Sequence, residues 1–558
     1  MSLVVPLSTS NPSRPAAAKT GSLLEALLRE QQRTAVEVFS ELHTAHAEPL
    51  QAKYYRDLIP LNAPQTGEQY AFEVDLDACS GCKACVIACH NLNGLEAQET
   101  WRSVGLLHGG TTELPVLQHV TTACHHCLEP ACLDGCPVNA YDKDPHTGIV
   151  RHLDDQCIGC QYCILKCPYD VPKYSHAKGI VRKCDMCRDR LAVGEAPACV
   201  QACPNQAIRI AIVQRSQVAE NAEANLFLPG APEPGYTLPA TVYKTKRALP
   251  ANMLPADYYA SSPQHAHWPL ILMLVLTQMS VGAFLVDQLL GEVASGLARE
   301  VQSAAAFVLG MLGLGAATFH LGRPLQAWRA FIGWRTSWLS REVIAFGAFA
   351  GAATVYAAAP RLESLGIPLS PTLQRGLGVA VAGTGLGGVL CSVMIYVSTR
   401  RAFWNPAATG LKFLLTCFVV GIPVVLLMRS AVEYATQSEL VAGRRELLLA
   451  LIAVAGVKLS FEATIFFRLR AKTFTPLRRT AVLMTGVLAR VTFFRFLCGL
   501  IGGVLLPAAL LNGGVPTLDV MIGVAILVIA FNFCGELLER YLFFAAVVAP
   551  KMPGAPSA

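Results

Sequence analysis

Sixteen of the chain's twenty cysteines fall into four groups between Cys79 and Cys203. The first group is Cys79-x2-Cys82-x2-Cys85-x3-Cys89, and the third is Cys157-x2-Cys160-x2-Cys163-x3-Cys167, followed by Pro168. The second, Cys124-x2-Cys127-x4-Cys132-x3-Cys136, runs into Pro137, and the fourth, Cys184-x2-Cys187-x11-Cys199-x3-Cys203, into Pro204. A cubane iron–sulfur cluster needs four thiolates converging on four irons. The compact C-x2-C-x2-C loop wraps three corners, and the cysteine three residues on, usually before proline, ligates the other cluster of a pair. Four complete groups, with no ligand replaced, predict four [4Fe–4S] clusters. A disulfide framework belongs to small secreted domains. Zinc prefers paired C-x2-C units, and three cysteines spaced by two close a tetrahedron poorly. Spacing leaves the pairing open: first with second and third with fourth, or first with fourth and second with third. A row of clusters has one plain use, which is to conduct single electrons between sites too far apart for direct transfer.

The elements that must position these groups divide the chain. At 558 residues it exceeds one ordinary domain. Residues 1–70 are an N-terminal extension. Its first 20 residues are rich in Ser, Pro and Ala and read as disordered, and an amphipathic helix follows over Gly21–Ala45 with Leu24, Leu27, Leu28, Val36, Phe39 and Leu42 on one face. That face either packs on its own domain or docks a partner. No apolar h-region and no twin-arginine pair opens the chain, so no export signal is expected there. Residues 71–215 form the cluster domain, with alternating runs at Tyr70–Leu76 and Ala207–Val213 that read as strands. Residues 216–262 are Pro-rich and aperiodic, and read as a linker or strap.

The rest is apolar. Hydrophobic residues make up 53% of the chain and the mean hydropathy is +0.41, an excess supplied by the second half. Eight segments of membrane-spanning length lie within residues 263–549, at approximately 268–290, 301–321, 342–359, 376–397, 408–428, 447–467, 491–511 and 518–547. The third is short and the last long. Cys391, Cys417, Cys498 and Cys534 stand singly in these segments and read as packing residues. The net charge of +6 is modest, and nucleic acid is not an expected partner.

Eight spans return the C-terminus to the cluster-domain side. Loops and span ends on that side carry thirteen Lys and Arg, from Arg323 to Arg490, against six on the opposite side. Cytoplasmic loops carry the basic excess, so the cluster domain is expected to face the cytoplasm. Five of the six tryptophans, Trp268, Trp328, Trp334, Trp338 and Trp404, map to the same interface. Ionisable residues also collect there: His320, Arg323, Arg341, Glu342, Glu462, Arg495, Glu536, Glu539 and Arg540. Such groups at membrane depth are costly, and are either paired or functional. A quinone site needs an amphipathic cleft near the nearest cluster and groups that move protons as electrons pass. His320 suits this best, since imidazole can donate to a quinone oxygen and titrates near neutrality. Arg323, Arg341, Glu342, Glu536 and Arg540 are the other candidates.

The stretches Asp77–Cys89 (DACSGCKACVIAC), Cys124–Pro137 (CHHCLEPACLDGCP), Gln156–Tyr169 (QCIGCQYCILKCPY) and Arg182–Cys187 (RKCDMC) resemble the four-cluster subunit of the DMSO-reductase family of molybdenum enzymes. The resemblance implies nested pairing. Cys79, Cys82, Cys85 and Cys203 would then hold one cluster, and Cys184, Cys187, Cys199 and Cys89 its partner. Cys124, Cys127, Cys132 and Cys167, with Cys157, Cys160, Cys163 and Cys136, would hold the inner pair. The membrane half resembles the eight-helix anchor of the same family, through His267–Leu270 (HWPL), His320–Gly322 (HLG) and Gly535–Leu538 (GELL) with Arg540. This places His320 at the family's quinol-linked histidine and implies two subunits fused in one polypeptide. The best-known anchor of this type carries its cluster side in the periplasm. The loop charges here point the other way, towards relatives such as the cytoplasmic-facing membrane-bound sulfite dehydrogenase.

The expected architecture is an α+β double ferredoxin-like [4Fe–4S] domain followed by an all-α eight-helix transmembrane bundle in a bacterial inner membrane. The expected function is electron transfer between a separate molybdopterin catalytic subunit and menaquinone or ubiquinone, serving sulfite oxidation or S- or N-oxide reduction. No residue here is suited to the substrate chemistry itself. The alternative is an anchoring or proton-translocating module without quinone turnover of its own.

Overall fold

The computed structural model describes residues 27–28, 41, 52–290, 296–366, 369–436, 443–512 and 518–554. The helix expected over residues 21–45 lies outside them, apart from Leu27, Leu28 and Glu41, which are helical.

Among the described residues, ten strands in four small sheets frame the cysteine groups. Strands β1 (Glu68–Asp75) and β8 (Ile208–Gln214) pair antiparallel from Glu68↔Gln214 to Val74↔Ile208, so both alternating runs of the sequence are strands of one sheet. β2 (Ser103–Gly110) and β3 (Pro115–Thr122) form a second antiparallel ladder. Two short hairpins, β4 (Tyr141–Lys143) with β5 (Val150–His152) and β6 (Lys173–Ser175) with β7 (Ile180–Arg182), complete the ferredoxin-type core. The segment read as an aperiodic strap opens with a helix, Arg215–Glu223. It then adds β9 (Val242–Lys244) in parallel to β1, and β10 (Leu254–Pro255) to β2. Its length hides this, because strands of two or three residues leave no readable period.

Eight helices long and apolar enough to cross a membrane follow among the described residues, numbered α1 to α8. They are α1 (Trp268–Leu290), α2 (Gly296–Thr318), α3 (Trp338–Ser364), α4 (Pro371–Val397), α5 (Pro406–Thr436), α6 (Arg444–Ala463, continued as a 3-10 turn to Arg470), α7 (Ala489–Asn512) and α8 (Leu518–Ala545). The third is not short: it spans 27 residues and carries Pro360 near its end. Helix α7 has a π-turn at Ile501–Leu505, where Gly502 and Gly503 let Asn532 of α8 come close. An additional helix, Pro476–Thr485, lies between α6 and α7, inside what read as a basic loop.

Helix association in lipid relies on close packing and small residues rather than on apolar burial. Gly282 of α1 and Gly421 of α5 show this, since a Cβ on Gly282 would sit 1.8 Å from the Cys417 carbonyl oxygen. The shared core is aliphatic and aromatic, with Phe284, Phe346, Phe349, Phe413 and Phe543 fully buried. Cys417 belongs to this core, in keeping with its reading as a packing residue. Trp404 departs from the interfacial reading of the tryptophans. It is 1% exposed, stacks on Phe543 at 5.2 Å and donates from Nε1 to the Phe543 carbonyl at 3.0 Å. The short turn Ala402–Trp404 tucks it between α4 and α8 instead of leaving it at headgroup depth.

Candidate cluster row and quinone-facing edge

The cysteine loops owe their shape to residues in the left-handed region. Gly81 and Lys83 have φ of 75° and 63°, and Gly159 and Gln161 have 71° and 59°. This repeated turn curls the backbone around its own thiols and turns N–H groups towards sulfur. Gly159 N donates to Cys157 Sγ at 3.4 Å, and Met186 N to Cys184 Sγ at 3.4 Å. Two of the cysteines that precede a proline are treated alike: Ala140 N donates to Cys136 Sγ and Ala207 N to Cys203 Sγ, both at 3.2 Å.

Short helices then bring the groups together in pairs. The helix Ala84–Leu92 after the first triplet packs on Ala198–Gln201 of the fourth group, and Ala131–Asp134 of the second packs on Tyr162–Lys166 of the third. One cavity is lined by Cys79, Cys82, Cys85 and Cys203. Another is lined by Cys124, Cys127, Cys132 and Cys167. Cys89 neighbours Cys184, Cys187 and Cys199, and Cys136 neighbours Cys157, Cys160 and Cys163. The cysteines brought together in this way are those that nested pairing would join. Among the described residues no three His, Cys, Asp or Glu converge on a point that one ion could fill. A zinc ion would draw its thiolates to about 2.3 Å and close such cavities; a cubane core matches four thiols held apart around a space. Burial raises the free thiols, Cys89 to about 12 and Cys136 to about 11, so a bound cluster would have to displace their protons.

The four sets form a row. Cys85 of the first neighbours Cys199 of the second, Cys184 of the second neighbours Cys124 of the third, and Tyr141 stands between Cys132 and Cys163 of the third and fourth. At one end Cys82 is exposed. At the other end the fourth set meets the membrane helices.

That junction is dense. Tyr162 donates to the Ile395 carbonyl at 3.2 Å and lies 2.8 Å from Ser398 Oγ, while Lys166 and Tyr236 both donate to the Ser398 carbonyl. Gly333 N donates to the Pro137 carbonyl at 2.7 Å, and Ser337 Oγ to the Gly135 carbonyl at 2.8 Å. Gly322 touches the β6–β7 turn so closely that a Cβ there would lie 2.0 Å from the Gly179 carbonyl oxygen.

The structure sorts the ionisable candidates. Arg323 is a docking residue: its Nη1 donates to the Asp154 carbonyl at 2.8 Å and the Cys157 carbonyl at 3.3 Å. Arg341 donates to the carbonyls of Trp334 and Arg335, beside its own loop. Glu342 is buried, accepts a hydrogen bond from Ser392 and stands near Tyr162. Glu536 and Arg540 belong to an enclosed ion network that, among the described residues, joins four cations to three carboxylates. Arg495 forks onto Glu462 at 2.9 and 3.0 Å and reaches Glu536 at 2.9 Å. Lys458 contacts Glu536 and lies 3.4 Å from Glu462, Arg540 contacts Glu539, and Lys412 lies 3.5 Å from Glu539. Lys412 and Lys458 are not among the sequence candidates. Only Lys458 has a local signal, the i,i+4 Glu462 on an apolar helix where an isolated lysine is too costly to stand unpaired; the partners of both lysines on α8, Glu539 and Glu536, leave none.

His320 follows α2 and is half-buried. Its Nδ1 faces the Ala317 carbonyl, which can only accept, so Nδ1 carries the hydrogen and neutral Nε2 is an acceptor. Burial lowers its pKa, and that of neighbouring His267 to about 4, where His265 and His320 add to the effect. Around His320 the loop exposes Phe319, Leu325, Trp328 and Trp334, an apolar aromatic rim suited to the lipid interface.

Residues 263–546 match the family of DMSO reductase anchor subunits, and residues 116–213 match a 4Fe-4S dicluster domain. A subunit of the anaerobic dimethyl sulfoxide reductase of Haemophilus influenzae is 34% identical over 168 residues, which cover 28% of this chain and 82% of that protein. The corresponding subunit of Escherichia coli is 37% identical over 148 residues, covering 25% of this chain and 72% of its own length. The hydrogenase-2 operon protein HybA of Escherichia coli O157:H7 is 34% identical over 173 residues, covering 26% and 53%. The chain is therefore similar to an iron–sulfur subunit in its first half and to a multi-pass membrane anchor in its second.

Proposed function

The chain belongs to the family of DMSO reductase anchor subunits, with an iron–sulfur subunit of the same enzyme family fused ahead of the anchor, and from that premise we propose that it connects a separate molybdopterin catalytic subunit to membrane quinone. The observation that carries this reading is the direct packing of the Cys157–Cys163 loop on the segment His320–Arg323.

Bound iron–sulfur clusters would supply one-electron redox chemistry, held by the four cysteine sets described above, one cluster to each. The protein's own residues do the rest. The junction keeps the innermost thiols against the membrane edge, and the exposed end at Cys82 suits the catalytic partner. His320 Nε2 accepts a proton from a quinol hydroxyl, or returns one when electrons flow towards quinone. Glu342 is the second candidate proton group, on the other side of the same loop. Sulfite oxidation and S- or N-oxide reduction are the reactions this arrangement would serve. The thirteen-to-six charge excess supports a cluster domain facing the cytoplasm.

The reading is tested by replacing His320 with Gln and following re-oxidation of pre-reduced clusters by a short-chain quinone. Loss of that reaction with intact clusters supports quinone exchange here; an unchanged rate favours an anchor without quinone turnover at this site.

A further inference from the structure

Arg102 lies immediately before β2 and is 2% exposed. Its Nη1 donates to Thr121 Oγ1 at 3.2 Å, and that hydroxyl lies 3.5 Å from the Cys85 thiol. The guanidinium covers the Phe72 ring at 4.6 Å. Its Nε and Nη2 find no oxygen or nitrogen acceptor among the described residues. The nearby carboxylate of Glu99 is engaged elsewhere, by Arg182 at 3.0 Å and Trp101 at 2.9 Å. What surrounds Arg102 is thiol: Cys85 of the first set, with Cys89, Cys184 and Cys199 of the second.

A guanidinium stays charged in any protein environment, and enclosing it without a counter-ion is costly. Neutral thiols supply no counter-charge. Thiolates holding two iron–sulfur cores would supply it, through Cys85 of the first set and Cys89, Cys184 and Cys199 of the second. We propose that Arg102 is the shared counter-charge of the two outer clusters and holds both of their reduction potentials up. The proposal rests on the ligand sets assigned above. A fixed positive charge stabilises the electron added to either cluster and weakens repulsion between two reduced neighbours. Its spare N–H groups point to hydrogen bonds with cluster sulfur, which act in the same direction. The next gap has its own cation, Lys183, with Nζ 3.6 Å from Cys124 Sγ and 2.9 Å from the Cys184 carbonyl. The gap nearest the membrane holds the neutral phenol of Tyr141 instead.

The experiment compares the full chain with its Arg102→Gln and Arg102→Lys variants, measuring iron and sulfide content and titrating each cluster's potential by electron paramagnetic resonance. The expected result is a full cluster content in all three. Two midpoints should fall in Arg102→Gln and recover in Arg102→Lys, while the other two stay unchanged. If the Gln variant loses the outer clusters and the Lys variant keeps them, the need for charge is again met. Four unchanged midpoints in Arg102→Gln, or loss of clusters in both variants, overturns the proposal. Fewer than four clusters in the unmodified chain overturns the ligand assignment instead.

Discussion

The backbone N–H of Arg323 donates to the carbonyl of Ile158 at 3.1 Å, joining the residue after His320-Leu321-Gly322 to the loop between Cys157 and Cys160. Ile158 sits between two cysteines of the innermost set, and Arg323 sits three residues from the imidazole proposed to meet quinone. In the proposed function, electron transfer and proton handling would therefore share one short stretch of backbone.

Gly322→Ala should loosen that joint. Its Cβ would lie 2.0 Å from the Gly179 carbonyl oxygen and 2.6 Å from Tyr174 Oη, and the Gly179 backbone cannot give way without shifting the β6–β7 turn. We expect unchanged iron content with quinone-dependent cluster oxidation slower by about 10- to 100-fold, the effect of an ångström-scale misplacement. Stopped-flow absorbance checks this, and a wild-type rate would show that the contact is not needed for transfer.

The acid limb of quinol oxidation should be displaced. A buried imidazole with a lowered pKa keeps its neutral, proton-accepting form to lower pH than an exposed one. The rate should be level above neutrality and fall as pH drops through the folded-state pKa, with a midpoint below the ordinary value of about 6.5. The stability linkage has the same sign. The unfolded chain takes up the His267 and His320 protons first, so their neutral burial costs stability as pH falls below about 6.5 and nothing well above it. A midpoint above 6.5 would remove His320 from the acceptor role.

The enclosed ion network should behave as a unit. Glu536→Gln leaves Lys458 and Arg495 short of a carboxylate in a site where all three are buried, and breaking a buried pair costs about 3–5 kcal/mol. Thermal unfolding in detergent should show that loss. The double variant Lys458→Met with Glu536→Gln should recover part of it, and additive losses would refute the pairing.

Orientation can be read directly. A reporter fused after the C-terminus should be active only in its cytoplasmic form, since Gln264 N reaches the Ala545 carbonyl at 2.9 Å and puts the end of α8 beside the start of α1. A periplasmic signal would reverse the assignment.

The cysteine groups, the β1 and β8 runs and the eight apolar segments are legible in the sequence because each is a local pattern with a short period. Pairing of Cys203 with the first group is not, since spacing says nothing about which loops meet more than a hundred residues apart. Nor is the use of the basic residues. Arg323, Arg329 and Arg401 donate to carbonyls of the cluster domain, so part of the charge excess that marks this side of the membrane also serves docking. Lys412 reads as a loop residue and Lys458 draws no notice, because a lysine's partners on a distant helix leave no trace in sequence. The start of α3 is hidden by Arg341 and Glu342, which interrupt its hydropathy while remaining helical.

The most direct test takes membranes containing the full chain with dithionite-reduced clusters, adds a short-chain quinone, and follows cluster re-oxidation by electron paramagnetic resonance. Rapid re-oxidation of all clusters in the unmodified chain, and its near-absence in His320→Gln at equal iron content, is the expected result. Equal rates in the two proteins would contradict it.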